Sequence, residues 1–341
     1  MSSPFSDRAS HRTPSRARPN WPRRVLAAAD EVYTRVVPPR APEQGSLVVV
    51  LFHSLYRDAS QLASQELAPN QNVTVEDLER FLGTMLEAGY NAVSPDQVDR
   101  GLPAGAHHLL VTFDDGYYNN HLATGVLSRL HVPALFFVSS GHVLRSEAFW
   151  WDALARELGR QGAPRHVLDA ELRRLKLLTP PQVEAAMRLR FGPDVLRPCS
   201  DLDRPFEVAE LRDFARERWV HIGNHTCDHA ILPNCSPEEI SRQLAECQRE
   251  LTDITGTAPL AVAYPNGNYS AAVVDAALAA GLRLGFTVRP FAHALPVKPG
   301  DRMTIGRYMI TGDEDFGTQL TKMQARYLPS NLIKSWRSSP Y

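Results

Sequence analysis

The chain has 341 residues, 43% hydrophobic and 22% charged, enough apolar material for one large globular domain with additions rather than a disordered or fibrous chain. A formal net charge of −1 removes any global electrostatic case for binding nucleic acid. Cys199, Cys227, Cys235 and Cys247 form no Cys-x-x-Cys pair, so nothing demands a disulfide framework.

Residues 1–24 are rich in Ser, Pro and Arg and lack an apolar h-region, so no secretory signal is expected. No segment has the apolar length to span a bilayer, and a cytoplasmic location is the default expectation. The basic arm (Arg8, Arg12, Arg16, Arg18, Arg23, Arg24) is expected to be solvated, with a weak hold on anionic lipid as the sharper reading. Trp21–Val37 has the pattern of a short amphipathic helix leading into the first strand.

Leu47–Phe52 reads as a buried strand. A helix is predicted over Thr74–Ala88: Thr74 caps it with Asp77 three residues on, Leu78, Phe81, Leu82 and Met85 form its stripe, and Gly89 stops it. Leu109–Phe113 and Ala134–Val138 are further strands. From about residue 145 to 205 the pattern turns helical: a helix begins at Phe149-Trp150-Trp151-Asp152, followed by Val167–Leu178 and Pro180–Arg190. This insertion either packs on the rim or forms a lid whose Trp150 and Trp151 stack on a bound ligand, with rim packing favoured. Trp219–Gly223 is apolar, and a helix begins at Ser236 with Pro237 first, Glu239 as capping-box partner and Gly256 at its end. Leu260–Tyr264, Leu284–Val288 and Met303–Gly306 complete the strands, and strands alternating with helices indicate a parallel α/β fold.

The chemistry concentrates at strand ends. Val111–Gly116 terminates a strand in Asp114-Asp115-Gly116, where adjacent carboxylates point different ways and Gly turns the chain. Alone this is more often a turn than a site. His225-Thr226-Cys227-Asp228-His229 follows the Trp219–Gly223 run, and its four-residue step would put both imidazoles on one side of a helical turn. One carboxylate and two histidines give three ligands, the set of a catalytic zinc site that keeps a position open. Cys227, between the histidines, reads as a packing residue rather than a ligand.

Thr112–Gly116, His225–His229 and Ala261–Gly267 (Ala-Val-Ala-Tyr-Pro-Asn-Gly), in that order, resemble the polysaccharide deacetylase family, also known by NodB homology and as carbohydrate esterase family 4. The resemblance spans roughly residues 46–310. Leu51-Phe52-His53 and the Tyr-Pro-x-Gly form of the third motif are closest to the exopolysaccharide N-deacetylase branch. It implies an α/β irregular (β/α) barrel of the polysaccharide deacetylase type with a helical insertion, the site at the C-terminal strand ends. The domain would run over residues 45–315, between a tail with lead-in helix at 1–44 and a C-terminal tail at 316–341.

The resemblance implies a metal held by Asp115, His225 and His229, with zinc expected and cobalt, nickel or iron compatible. It makes Asp114 the base and gives Tyr264, through its N–H with its ring as a further option, to an oxyanion hole. Two departures stand out. A late Leu-x-His segment that often supplies the acid is missing, and His53 is the substitute. The Arg that many members carry before the Tyr-Pro segment is replaced near Ala261, and Arg307 either reaches across the mouth to orient the base or only pairs on the surface. The expected activity is removal of acetyl groups from N-acetylated amino sugars of a polysaccharide or its precursor, with an N-acetylated carbohydrate as the substrate partner and neither nucleic acid nor an integral membrane segment expected. Alternatives are hydrolysis of another non-peptide C–N bond such as a ureide or formamide, O-deacetylation, and non-catalytic glycan binding.

Overall fold

The computed structural model describes residues 45–63, 72–312 and 314–324. The basic arm and the Trp21–Val37 helix expected from sequence lie outside them. No helix among the described residues is long and apolar enough to cross a membrane.

Among the described residues nine strands make one sheet: β1 (Ser46–Phe52), β2 (Tyr90–Ala92), β3 (His107–Phe113), β4 (Ala134–Val138), β5 (Val220–Asn224), β6 (Ala261–Ala263), β7 (Leu284–Phe286), β8 (His293–Ala294) and β9 (Tyr308–Met309). The spine runs β7-β6-β5-β4-β3-β1, parallel throughout, with β2 on β3 and both β8 and β9 on β1. This is the irregular (β/α) barrel, and the C-terminal ends of the parallel strands open on one mouth, β8 alone running the other way.

Side-chain alternation divides each strand between two cores. Leu47, Val49, Leu110, Leu135, Phe137, Ala261, Ala263 and Phe286 fill the interior. Val48, Val50, Phe52, Leu109, Val111, Phe113 and Phe136 face the surrounding helices. Phe52, Phe113 and Phe136 stand in register across β1, β3 and β4. Their rings stack at centroid distances of 5.1 and 4.6 Å. The same alternation puts Thr112, and two residues later Asp114, on the interior side at the mouth.

The barrel is closed by a segment that changes partners. Ile305 bridges β7: its N–H donates to Gly285 O and Thr287 N–H donates to Ile305 O, both at 2.8 Å. Three residues later the chain has crossed to β1 as β9. Met303–Gly306 is therefore not a strand, as its apolar run suggested, but a crossing with a single bridge; β8 and β9 are too short to show periodicity. Arg307 stands where the chain changes sides.

The helix leading into β2 runs Val75–Glu87 with the expected Thr74–Asp77 capping box and buried stripe. The helix of Pro237–Thr255 has its Ser236 cap and left-handed Gly256. Its Glu239 side chain turns instead to Arg242 and Gln243, so the expected capping box is only half made. Three insertion helices, Trp150–Arg160, Arg165–Leu175 and Pro180–Phe191, share a small core of their own. Phe316–Gln324, assigned from sequence to a tail, is a helix whose Phe316 ring packs edge-on against Phe81 at 5.6 Å.

The closing segment is also held by a buried imidazole. Gly306 N–H donates to His293 Nε2 at 2.9 Å, which requires that nitrogen to be unprotonated. Burial pushes His293 down to about 4, and buried His142 likewise to about 4. The unfolded chain, with imidazoles near their ordinary value, binds these protons first. Stability should therefore be flat above about pH 6.5 and fall as pH drops towards 4, by up to about 3 kcal/mol per histidine. Urea midpoints measured at pH 7 and pH 5 check this, and His293→Gln should flatten the slope.

Candidate active site

Asp114 continues the strand ladder, its N–H donating to Phe52 O at 2.9 Å. Asp115 and Gly116 then take positive φ values of 75° and 85°. That reversal throws the two neighbouring carboxylates into different surroundings. Glycine is required at 116, because a Cβ there would also lie 2.9 Å from Val138 Cγ1.

Asp114 belongs to the protein. It is 3% exposed and Arg307 1% exposed, and they form a two-pronged pair: Nη1 to Oδ1 at 2.6 Å and Nη2 to Oδ2 at 2.7 Å. Arg307 also donates from Nε to Thr287 O at 3.0 Å and from Nη1 to Thr112 Oγ1 at 3.2 Å. Of the two placements open to Arg307 from sequence, the surface pair is excluded. Burial alone would raise the Asp114 carboxyl, but Arg307, with His225 beyond it, holds it below its ordinary value.

Asp115 has the opposite environment. Its Oδ1 is buried with no hydrogen-bond partner, yet His229 Nε2 lies 3.3 Å and His225 Nε2 3.4 Å away. The three donor atoms fall within 4.8 Å of one another. Burial would raise this carboxyl too, but His53 and the two imidazoles hold it well below its ordinary value. His225 Nδ1 is 2.8 Å from Ala263 O and donates to it, which aims Nε2, the nitrogen that ligates when the ring is neutral, at Asp115. Burial lowers His225 but the two aspartates more than restore it; for His229 burial prevails and its basicity falls. An unpartnered buried carboxylate oxygen facing the Nε2 atoms of two imidazoles fits a divalent cation of the zinc type.

The histidines do not converge on a helical turn, as their spacing suggested. Residues 225–231 form a loop in which Thr226 and His229 take φ values of 63° and 48°. Thr226 N–H donates to Asn224 Oδ1, and Ala230 N–H to Thr226 Oγ1, both at 2.9 Å, which swings His229 back towards His225. Asp228 is turned away and held by Arg145, Arg242 and Gln243. Buried Cys227 sits near Glu250 with its thiol pushed well up by burial, a packing role.

His53 lines the same cavity from the loop after β1, with its Nδ1 buried and unpartnered. Asn120 fixes that loop by donating to His53 O at 2.6 Å. Tyr264 is placed differently from expectation. Its N–H donates to Phe286 O and its hydroxyl to Met303 O, both at 3.0 Å, and its ring is fully buried. An N–H spent on β7 cannot also serve an oxyanion. The residue of that loop which lines the cavity is Asn266, in left-handed conformation at φ 58°. An Asn-Gly pair is a sequence signal for that conformation, although the aromatic residue drew attention first.

The insertion meets the site directly. The Trp151 ring packs on His229 at 4.5 Å and its Nε1 donates to the Tyr117 hydroxyl oxygen at 2.9 Å, so it supports a histidine while bordering the cavity. Trp150 packs edge-on against Trp151.

The sequence pattern of the polysaccharide deacetylase family matches residues 102–285, more than half the chain, and the chain belongs to that family. No curated protein sequence matches significantly. Among solved structures, the Streptococcus pyogenes deacetylase PplD superposes with a TM-score of 0.56 at 16% identity, over 82% of this chain and 98% of that one. IcaB from Ammonifex degensii gives 0.54 at 18%, over 82% and 97%. A de-N-acetylase from Aggregatibacter actinomycetemcomitans gives 0.54 at 16%, over 81% and 98%. At such identities the likeness is one of fold.

Because Asp114 and Arg307 are both desolvated, removing either charge strands the other. Arg307→Met should destabilise the protein by about 3–5 kcal/mol, and Asp114→Asn by less, since the amide still accepts from Arg307. Equilibrium urea denaturation of the two variants tests the order.

Proposed function

We propose that this member of the deacetylase family is a metal-dependent hydrolase of non-peptide carbon–nitrogen bonds, removing acetyl from an N-acetylated amino sugar of a polysaccharide or its precursor. The observation that carries this reading is the division of labour between adjacent aspartates: Asp114 clamped by Arg307, Asp115 left open to two imidazole nitrogens. Asp115, His225 and His229 would hold the cation, zinc first and cobalt, nickel or iron as alternatives. When bound, such a cation supplies Lewis acidity, which lowers the pKa of a water towards neutrality and polarises a carbonyl.

The chain's own groups do the rest. Asp114 stays ionised against Arg307, and each of its oxygens keeps a second acceptor position, so it can take a proton from the attacking water. Arg307 fixes the plane of that carboxylate. His53, across the cavity, delivers a proton to the departing amine nitrogen. In place of Tyr264, the loop of Asn266, which lines the cavity, is proposed to face the oxygen on which negative charge develops. The exopolysaccharide branch is supported by the His53 context and the Tyr-Pro-x-Gly motif.

Acetate release from N-acetylglucosamine oligomers tests the reading. Release should stop with a chelator and return with zinc. Asp114→Asn should retain one bound zinc while turnover falls on the order of 10²–10⁴-fold; His225→Ala and His229→Ala should lose both. Near-full turnover in Asp114→Asn would remove its role as base. Release from a ureide but not from the sugar would replace the substrate assignment.

A further inference from the structure

The cavity above Asp115 has a volume of about 450 Å³, inside the roughly 300–1,000 Å³ range of pockets for small ligands. Its polarity is uneven. The floor carries His53, Asp114, Asp115, His225 and His229, whereas the wall from the second and third insertion helices and the turn between them is Leu172, Leu175, Leu178, Pro181 and Val183. At the rim Val288 and Met309 are 38% and 49% exposed.

Charged groups on the wall are largely engaged with protein. Arg145 pairs with Glu147 at 2.9 Å and Asp228 at 2.8 Å, Arg165 with Asp169 and Glu184 with Arg188, both at 2.8 Å. Lys176 donates to Asn266 Oδ1 at 2.8 Å, and Asn234 Nδ2 donates to Lys176 O at 2.9 Å. These last two bonds fasten the wall to the loops after β6 and β5. A sugar ring laid against such a wall would lose water from its hydroxyls and gain few partners. An aliphatic group there would lose only unfavourable hydration.

We infer that the insertion makes the mouth a chamber for an amphipathic substrate: an N-acetylated amino sugar at the acid–imidazole floor, carrying an apolar aglycone along the Leu172–Val183 wall. This rests on the deacetylase reading for the sugar end, while the wall stands on its own lining. Specificity then lies in the insertion. A continuous polymer, which would press further sugar rings against that wall, is the poorer substrate.

The test compares methyl and hexyl glycosides of N-acetylglucosamine, below the micellar concentration, with N-acetylglucosamine pentamer. Acetate release is measured as kcat/KM and binding by calorimetry, on the full chain loaded with zinc. The hexyl glycoside should exceed the methyl glycoside by about tenfold or more in both. In Leu178→Gln, a half-buried position at which the fold should persist, that ratio should fall towards one. Equal binding and turnover of the two glycosides, binding of neither, or faster release from the pentamer than from the hexyl glycoside would overturn the inference. If the hexyl glycoside binds more tightly but no acetate appears, the chamber is supported and the deacetylase reading fails instead.

Discussion

The barrel can close only if the Arg307 guanidinium finds partners, because the last segment carries that cation into a dry interior as it passes from β7 to β1. Asp114, Thr112 and Thr287 supply them. The ion pair thus ties the end of β3 to the seam of the barrel, and closure and the site share one contact. A buried pair of this kind is weak as a source of stability, since desolvation offsets most of its attraction. Its worth lies in position: a carboxylate oriented from two directions, kept ionised, at the floor of a cavity.

The neighbouring aspartate shows the complementary use of burial. Asp115 is as desolvated as Asp114, yet its Oδ1 receives no protein donor. Such an atom costs free energy unless something cationic satisfies it. The strained positive φ at Asp115, Thr226 and His229 brings the three donors together, and strain of that sort persists where the surrounding hydrogen bonds over-determine it. The Asn224–Thr226–Ala230 bonds are that surrounding.

Much of this was legible in the residues. The strand ends, the Thr74 and Ser236 caps and the three insertion helices follow from periodicity and capping chemistry, which act over a few residues. The seam was not. Met303–Gly306 has the composition of a strand, and nothing local tells that Ile305 bridges β7 while Tyr308 pairs with β1. The placement of Arg307 depends on that long-range exchange, so sequence left two options open. His225 and His229 were found by a helical spacing that the loop does not use; left-handed residues gave the same convergence by another route. Tyr264 misled because an aromatic ring attracts a functional reading, whereas the ladder to β7 had already taken its N–H. Lys176 and Asn266 meet only in three dimensions, 90 residues apart.

The most direct measurement is X-ray absorption at the zinc edge of the purified protein. One zinc per chain is predicted, with nitrogen and oxygen neighbours at about 2.0–2.2 Å and an imidazole scattering pattern that weakens in His229→Ala. Absence of stoichiometric metal, or a sulfur neighbour at about 2.3 Å indicating Cys227 as ligand, would contradict it.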